Sequence, residues 1–204
     1  AYRLGEQYVL ENDSLRLQVD ASGQLVEILD KETGLQYAEG PCNAFKMYKD
    51  VNIEYDAWEI GSMYEALPVA LDPTAEIDIV LGEAAPPASE GFLKAGICVR
   101  RRLHDSPMVQ TITLEQDSRR VDFETEIDWQ EQHKLLKVAF PVRVHADEAL
   151  HEIQFGYIRR PTHKSRRYDA DRYEVSQHRY TALAEAGHGF AVLNDCKYGV
   201  SVDG

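Results

Sequence analysis

Long apolar runs are missing from this sequence. No stretch approaches the roughly 20 consecutive apolar residues that cross a bilayer, so the expectation is a water-soluble domain with no membrane partner. Cysteine is scarce. Cys42, Cys98 and Cys196 are odd in number and widely spaced, which argues against a disulfide framework or a zinc ribbon and points to a reducing, cytoplasmic setting. Positive charge is also short: 22 Lys and Arg stand against 35 Asp and Glu, a formal net charge of -13, which opposes binding to nucleic acid. No G-x-S-x-G, no Cys with a partnered His and no phosphate-cradling Gly loop occurs, so nucleophilic and nucleotide chemistry lack support. The opening AYRLGEQYVLENDSL has no charged segment leading into an apolar one, so no signal peptide is expected. Nothing offers a long, capped amphipathic helix.

What is present is period-two patterning, the mark of half-buried strands. In LRLQVDASGQLVEILDKETGLQYA, residues 15–38, Leu15, Leu17 and Val19 share a face, and ASG and KETG mark turns, which predicts an antiparallel meander. RVDFETEIDW, 120–129, alternates Val121, Phe123, Thr125, Ile127 and Trp129 with Asp122, Glu124, Glu126 and Asp128, predicting one core face and one acidic face. MVQTITLEQ before it and LLKVAFPVRV after it complete three strands expected to pair in order, with Leu136, Val138, Phe140, Val142 and Val144 inward. Pro141 cannot donate a ladder hydrogen bond and so predicts an edge, a bulge or a change of sheet. GEAAPPASEG, within Leu81 to Phe92, reads as a loop or hairpin tip. The final GFAVLNDCKYGVSVDG reads as strand, turn and strand. A chain of 204 residues with this pattern is expected to form a single all-β domain, a large antiparallel β-sandwich.

Four clusters could carry chemistry. YDAWEI, 55–60, sets Trp58 between Asp56 and Glu59, a mixture that suits sugars, whose C–H faces stack on aromatic rings while carboxylates take hydroxyl protons. Burial of Trp58 in a core is the competing reading. The strip Asp122, Glu124, Glu126, Asp128 is more simply a solvated face than a cation site. His145-Ala146-Asp147 has the H-x-D spacing of some zinc hydrolases but sits where a strand gives way to a polar turn. RRPTHKSRRYDADRYEVSQHRY, 159–180, is the richest polar stretch, gathering Arg159, Arg160, His163, His178 and Tyr180 between apolar strand patterns; it is read as a binding loop, or alternatively as basic groups paired with the acidic strip.

DAWEI, EIDWQEQHKLLKVAFPV, EIQFGYIRRPTH and YEVSQHRYTALAEAGHGFAVLNDCKYGVS, in that order, resemble the β region of family 38 glycoside hydrolases, the retaining α-mannosidases. The resemblance runs from about residue 12 to the end and is most specific between Asp128 and Gly199. It departs from the usual pattern at Ser176, where Pro is common, at Tyr180, where Trp is common, and at Ala184, where Ser is common. It implies a sandwich similar to that of galactose mutarotase, the middle to C-terminal β domain of a longer, zinc-dependent enzyme hydrolysing terminal α-D-mannosyl residues. Zinc and the nucleophilic Asp would belong to an N-terminal barrel and helical region outside this chain, which itself would hold no metal and no catalytic residue and would be inactive alone. A retaining mechanism needs two carboxyl groups about 5–5.5 Å apart. On this reading the partners are that barrel and helical region and mannosides, a homo-oligomer being compatible. Trp58, Arg159, Arg160, His163, His178 and Tyr180 would line or approach the sugar cleft. The alternatives are a stand-alone carbohydrate-binding module and a mutarotase-like sugar epimerase using His163 or His178 as acid and base.

Overall fold

The computed structural model describes residues 1–52, 54–55, 58–81 and 93–203. The expected loop GEAAPPASEG and the Asp56 of the Trp58 cluster lie outside the described residues. The chain divides into two compact units, Ala1–Pro141 and Val142–Gly204, and both are built from antiparallel strands as the period-two pattern predicts. Among the described residues the helical content is two short 3-10 turns, Tyr64–Ala66 and Arg167–Arg172.

The first unit opens with a meander: β1 (Tyr2–Leu4), β2 (Gln7–Glu11), β3 (Leu15–Val19) and β4 (Leu25–Asp30) pair in chain order. Its inward side chains Val9, Leu17 and Val19 are fully sealed, each contributing roughly 1.5–3 kcal/mol of transfer free energy. β5 (Ala44–Lys49) and β6 (Pro68–Val69) follow, then β7 (Ala75–Leu81), β8 (Lys94–Leu103), β9 (Ser106–Glu115), β10 (Val121–Ile127) and β11 (Lys134–Ala139). A second four-stranded sheet runs β10-β9-β8-β7. β9 alternates buried Met108, Gln110, Ile112 and Leu114 with exposed or half-buried neighbours, and Ile112 stands opposite Ile97 of β8.

The strand order corrects one expectation. β9 and β10 pair as anticipated, from Val121 opposite Leu114 to Ile127 opposite Met108. β11 instead joins the three-stranded sheet β11-β5-β6, where Leu136 faces Met47. That placement lets Leu136 pack with Phe45, Val69 and Ile127 on the buried cluster of Met47, Leu103 and Met108. β11 ends at Ala139, before Pro141, and the inward series is broken at one position: Val138 is exposed, whereas Leu136 and Phe140 are half-buried and, in the second unit, Val142 is half-buried and Val144 buried. Trp129 also lies beyond its strand and is exposed rather than core. The acidic face is solvated as expected, and Asp122 takes a salt bridge from Arg120 at 2.9 Å.

Two backbone positions with positive φ meet at the centre of this unit. Gly23, at φ +80°, ends the turn between β3 and β4, where a Cβ would lie 2.6 Å from Val99 Cγ1. Asn43, at φ +56°, is a residue type that tolerates this region. Its buried amide donates to Gln110 Oε1 at 2.6 Å and to the Gly23 carbonyl at 3.3 Å, while Gln110 Nε2 donates to Thr125 Oγ1 at 2.9 Å. Such a network is stable only when complete. Gln110→Ala is expected to cost about 2–3 kcal/mol, measured by urea denaturation, because it leaves the Asn43 amide buried without its partner; a loss under about 0.5 kcal/mol would mean that water replaces the bond.

The second unit contains β12 (Glu148–Ile153), β13 (Gly156–Pro161), β14 (Val175–Ser176), β15 (Tyr180–Glu185), β16 (His188–Leu193) and β17 (Gly199–Val200). Four form a sheet in the order β13-β12-β15-β16, and β14 pairs with β17. The expected final strand, turn and strand are β16, Asn194–Tyr198 and β17; the turn is held by Asn194, whose Oδ1 accepts from Cys196 N at 2.8 Å and Lys197 N at 2.5 Å. All the net charge belongs to the first unit, since Val142–Gly204 carries nine acidic and nine basic side chains.

Candidate functional site

In the first unit, the segment between β5 and β6 carries Trp58. The Trp58 backbone N–H donates to the Tyr55 carbonyl at 2.7 Å, and Asn52 holds the Glu59 carbonyl through its side-chain amide. Tyr55 adopts φ +57°, a conformation unusual for a bulky residue. The consequence is that Trp58 is not core: 88% of its surface is exposed, and Tyr55, Val51 and Met63 are exposed with it. An exposed indole in a polar turn is an available stacking surface. A depression of about 330 Å³ elsewhere in the unit is lined by Asp50, Trp129, Glu131, Gln132, His133 and Lys134.

In the second unit, the polar stretch begins on β13. Arg159 spreads its guanidinium over the Tyr157 ring at 5.8 Å and lies 3.9 Å from Glu148, leaving half of its side chain exposed. Arg160 donates through Nη1 to the Ser176 carbonyl at 3.0 Å. His163 is oriented by Ser165 Oγ, 2.8 Å from its Nδ1, with Asp169 3.9 Å from the same nitrogen. The loop then turns through the 3-10 helix Arg167–Arg172, whose start is closed by a reciprocal clasp: the Arg166 guanidinium holds Asp169 through two bonds at 3.0 and 3.1 Å, and the Asp169 carboxylate accepts the Arg166 backbone N–H at 2.9 Å. Those Arg166 hydrogen bonds hold the Asp169 carboxyl below its usual range although burial opposes this.

His178 and Tyr180 return the chain to the sheet. The His178 ring lies beside Tyr198 with centroids 5.0 Å apart, its backbone N–H donates to the Glu152 carbonyl at 2.8 Å, and its Nε2 lies 3.4 Å from Gln154 Nε2. Tyr180 opens β15 opposite Leu193 and is half-buried. Arg159, Arg160, His163, His178 and Tyr180 are thus all in the second unit, on β13, β15 and the loop that joins their sheet positions, whereas Trp58 belongs to the first. What they offer chemically is hydrogen-bond donation to hydroxyl or carboxylate oxygens and ring faces for stacking.

Several residues escaped the sequence reading. His151, mid-strand on β12, is 1% exposed, bonds Thr181 Oγ1 through Nδ1 at 2.9 Å, and is pushed down to about 4 by burial and by the nearby Arg160 charge. Tyr168 and Asp169 organise the Arg-rich loop. In the first unit, His104, Asp105 and Glu131 form, among the described residues, a group whose ligand-type atoms lie within 4.8 Å. Glu131 is already engaged: it accepts from Asp105 N at 2.7 Å and Ser106 Oγ at 3.2 Å, and lies 3.1 Å from His104 Nδ1. This donor set closes the β8–β9 turn, where His104 has φ +60°, and does not fit a catalytic zinc, which needs ligand lone pairs free. Among the described residues, His145 and Asp147 are not part of such a group; their backbone is held, the His145 N–H by the Glu185 carboxylate and the Asp147 carbonyl by Thr162 N at 3.0 Å.

Comparison with known proteins agrees with the strand architecture. The chain is 38% identical over 200 residues to "Alpha-mannosidase 2C1" of Homo sapiens, an alignment covering 96% of this chain and 18% of that protein. It is 34% identical over 209 residues to "Alpha-mannosidase G" of Dictyostelium discoideum, again 96% of this chain and 18% of the relative. The crystal structure of an alpha-mannosidase from Enterococcus faecalis V583 superposes with a TM-score of 0.71 at 16% identity, over 98% of this chain and 24% of that one, a likeness of fold. The chain therefore spans about a fifth of the length of the curated relatives it matches. The model of the glycosyl hydrolases family 38 C-terminal domain matches residues 10–204, and the chain belongs to that family.

Proposed function

We propose that this chain is the non-catalytic β region of a longer α-mannosidase, that it braces the catalytic part of that enzyme, and that its loops contribute donors and ring faces to the sugar cleft. The observation that carries this reading is the match over 96% of the chain to proteins named as alpha-mannosidases, of which it spans only 18%. The parent enzyme is proposed to be retaining and zinc-dependent, with metal and nucleophile supplied by the barrel and helices outside these 204 residues. Partners are that catalytic part and mannosides, in the cytoplasm.

Trp58, Arg159, Arg160, His163, His178 and Tyr180 are the proposed substrate-facing positions. The exposed indole of Trp58 supports its inclusion most directly, because an aromatic face left in water suits a sugar ring better than a core. The same exposure favours a second reading, a carbohydrate-binding module. The two are separated by assaying release of nitrophenol from 4-nitrophenyl α-D-mannoside by the intact protein. The α-mannosidase reading expects turnover. Glycan binding by the intact protein without hydrolysis of any α-mannoside would favour the module.

A further inference from the structure

We propose that the outward face of β15 and β16, where Ala182, Ala184, Gly189, Ala191 and Leu193 lie beside Leu150 of β12, is a docking surface for another segment of the same, longer polypeptide. This names a contact surface within the α-mannosidase reading and rests on it: the occupant is the part of the parent protein outside these 204 residues.

The register of the sheet defines the face. Ala182 stands opposite both Ala191 and Leu150, Ala184 opposite Gly189, and Tyr180 opposite Leu193, so these side chains project to one side. His151, opposite Thr181, marks the other side, and both of these are buried. On the outward side Ala184, Gly189, Ala191 and Leu193 are exposed, Leu193 to 63%, and Leu150 and Ala182 are half-buried. That composition does not suit water. An antiparallel sheet with one solvated face alternates apolar and polar residues, as β10 does with Glu124 and Glu126 exposed. By contrast ALA at 182–184 and GFAVL at 189–193 carry no polar side chain, the pattern of strands covered on both faces. Among the described residues, none of these outward side chains is buried.

The size of the patch selects the occupant. It is far smaller than the roughly 20–30 residues a side of a stable association between separate proteins, so a second copy of the chain would gain too little from it. A segment tethered in the same polypeptide docks at an effective concentration of roughly millimolar and needs no more surface than this. The relatives supply the necessary length, since this chain matches them over 96% of itself and spans only 18% of theirs. The side chains of the patch are mostly small, and a strand glycine marks a place where another backbone approaches closely. A neighbouring sheet or helix can therefore lie flat here and bring its own leucine or aromatic side chains. Arg159, opposite Leu150, projects from the same face as Tyr180. Two of the positions assigned to the sugar cleft and this patch thus turn toward the same partner.

The test is thiol labelling of the intact, longer protein. Ala191→Cys and, as reference, Glu124→Cys are made singly in a Cys196→Ser background, and reaction with a maleimide is followed by mass spectrometry of the peptide carrying each position. Both positions are exposed within this chain, yet Ala191→Cys is expected to react more slowly by about tenfold or more, because labelling must wait for the docked segment to open. The acids beside Glu124 slow a thiol there, so the comparison is weighted against the expected result. Leu193→Asp, at an exposed position that the sheet itself tolerates, is expected to speed labelling of Ala191→Cys severalfold, since docking would have to desolvate the new charge. Equal rates at the two positions, or no acceleration by Leu193→Asp, would overturn the proposal. So would protection that vanishes on dilution as a dimer dissociates in sedimentation, which would assign the face to a second copy. Labelling needs no turnover. Slow reaction of Ala191→Cys in a protein that leaves 4-nitrophenyl α-D-mannoside intact would support the covered face and refute the α-mannosidase reading, and turnover with equal rates would do the reverse.

Discussion

Gly23→Ala is expected to lower the unfolding free energy of the Ala1–Pro141 unit by about 2–5 kcal/mol. Two costs add. Alanine at φ +80° enters the left-handed region, at about 1–2 kcal/mol. Its methyl would also lie 2.6 and 3.2 Å from the two γ carbons of Val99, which is 1% exposed and flanked on β8 by Ile97 and Cys98, so the clash is relieved only by moving a packed strand, at about 1–3 kcal/mol. Gly34 supplies the control. It has φ +74° and open space where a Cβ would go, so Gly34→Ala should carry the backbone cost alone. Urea denaturation of both variants separates the terms. Equal losses would show that the β3–β4 turn does not press on Val99.

The second large effect depends on pH. His151 is buried on β12 with a pKa pushed down to about 4 from its ordinary 6.5. The unfolded chain therefore binds a proton at a higher pH than the folded one does. Stability from the neutral ring is fully present above pH 6.5 and is lost as pH falls toward 4. Each pH unit within that window costs at most about 1.4 kcal/mol. A total of about 2 kcal/mol is expected for the Val142–Gly204 unit, below the full linkage value because the sheet can relax and admit water to the charged ring. His151→Gln should be less stable at pH 7, since Thr181 loses its designed partner, yet should flatten the dependence between pH 6.5 and 4. Hydrogen exchange of β12 and β15 amides against pH reads this directly. An unchanged slope in the variant would place the titrating group elsewhere.

Both effects sit on features that a linear reading reached unevenly. The meander was legible because Leu15, Leu17 and Val19 alternate and the turns carry Gly23 and Gly34, both at positive φ. The β9–β10 hairpin was legible for the same reason, since neighbouring strands with strict alternation pair locally. The partner of β11 was not. Its register with β5 spans some 90 residues, and nothing in LLKVA says that Leu136 will meet Met47 rather than a side chain of β10; only the shared cluster around Leu103 and Met108 decides it. Exposure was equally hidden. Trp58 and Trp129 look alike as apolar residues among acids, and burial is the commoner fate of both, but turn geometry holds one in solvent and the end of β10 strands the other.

The Arg-rich stretch was legible in its residue types and not in its arrangement. Arg166 and Asp169 are three apart, a spacing that a 3-10 turn aligns, so their clasp follows once the turn is known. That Arg172 then lies against Tyr168 depends on the path of the whole loop between β13 and β15. Sequence patterning thus marked the polar segment, while the division of labour inside it came from the fold: Asp169 organises the turn with Arg166, His163 is oriented by Ser165, Arg160 holds the Ser176 carbonyl, and Arg172 lies over the Tyr168 ring.

The central proposal, that this β region takes part in α-mannoside hydrolysis by a longer parent protein, is tested most directly by kcat/KM of the intact protein toward α-mannosides with alanine placed singly at Trp58, Arg159, Arg160, His163, His178 and Tyr180. Losses of roughly threefold to tenfold are expected at several of these positions, the kinetic equivalent of contacts worth about 0.5–1.5 kcal/mol. Wild-type kcat/KM in all six folded variants would contradict the claim and leave the domain a scaffold that never meets the sugar.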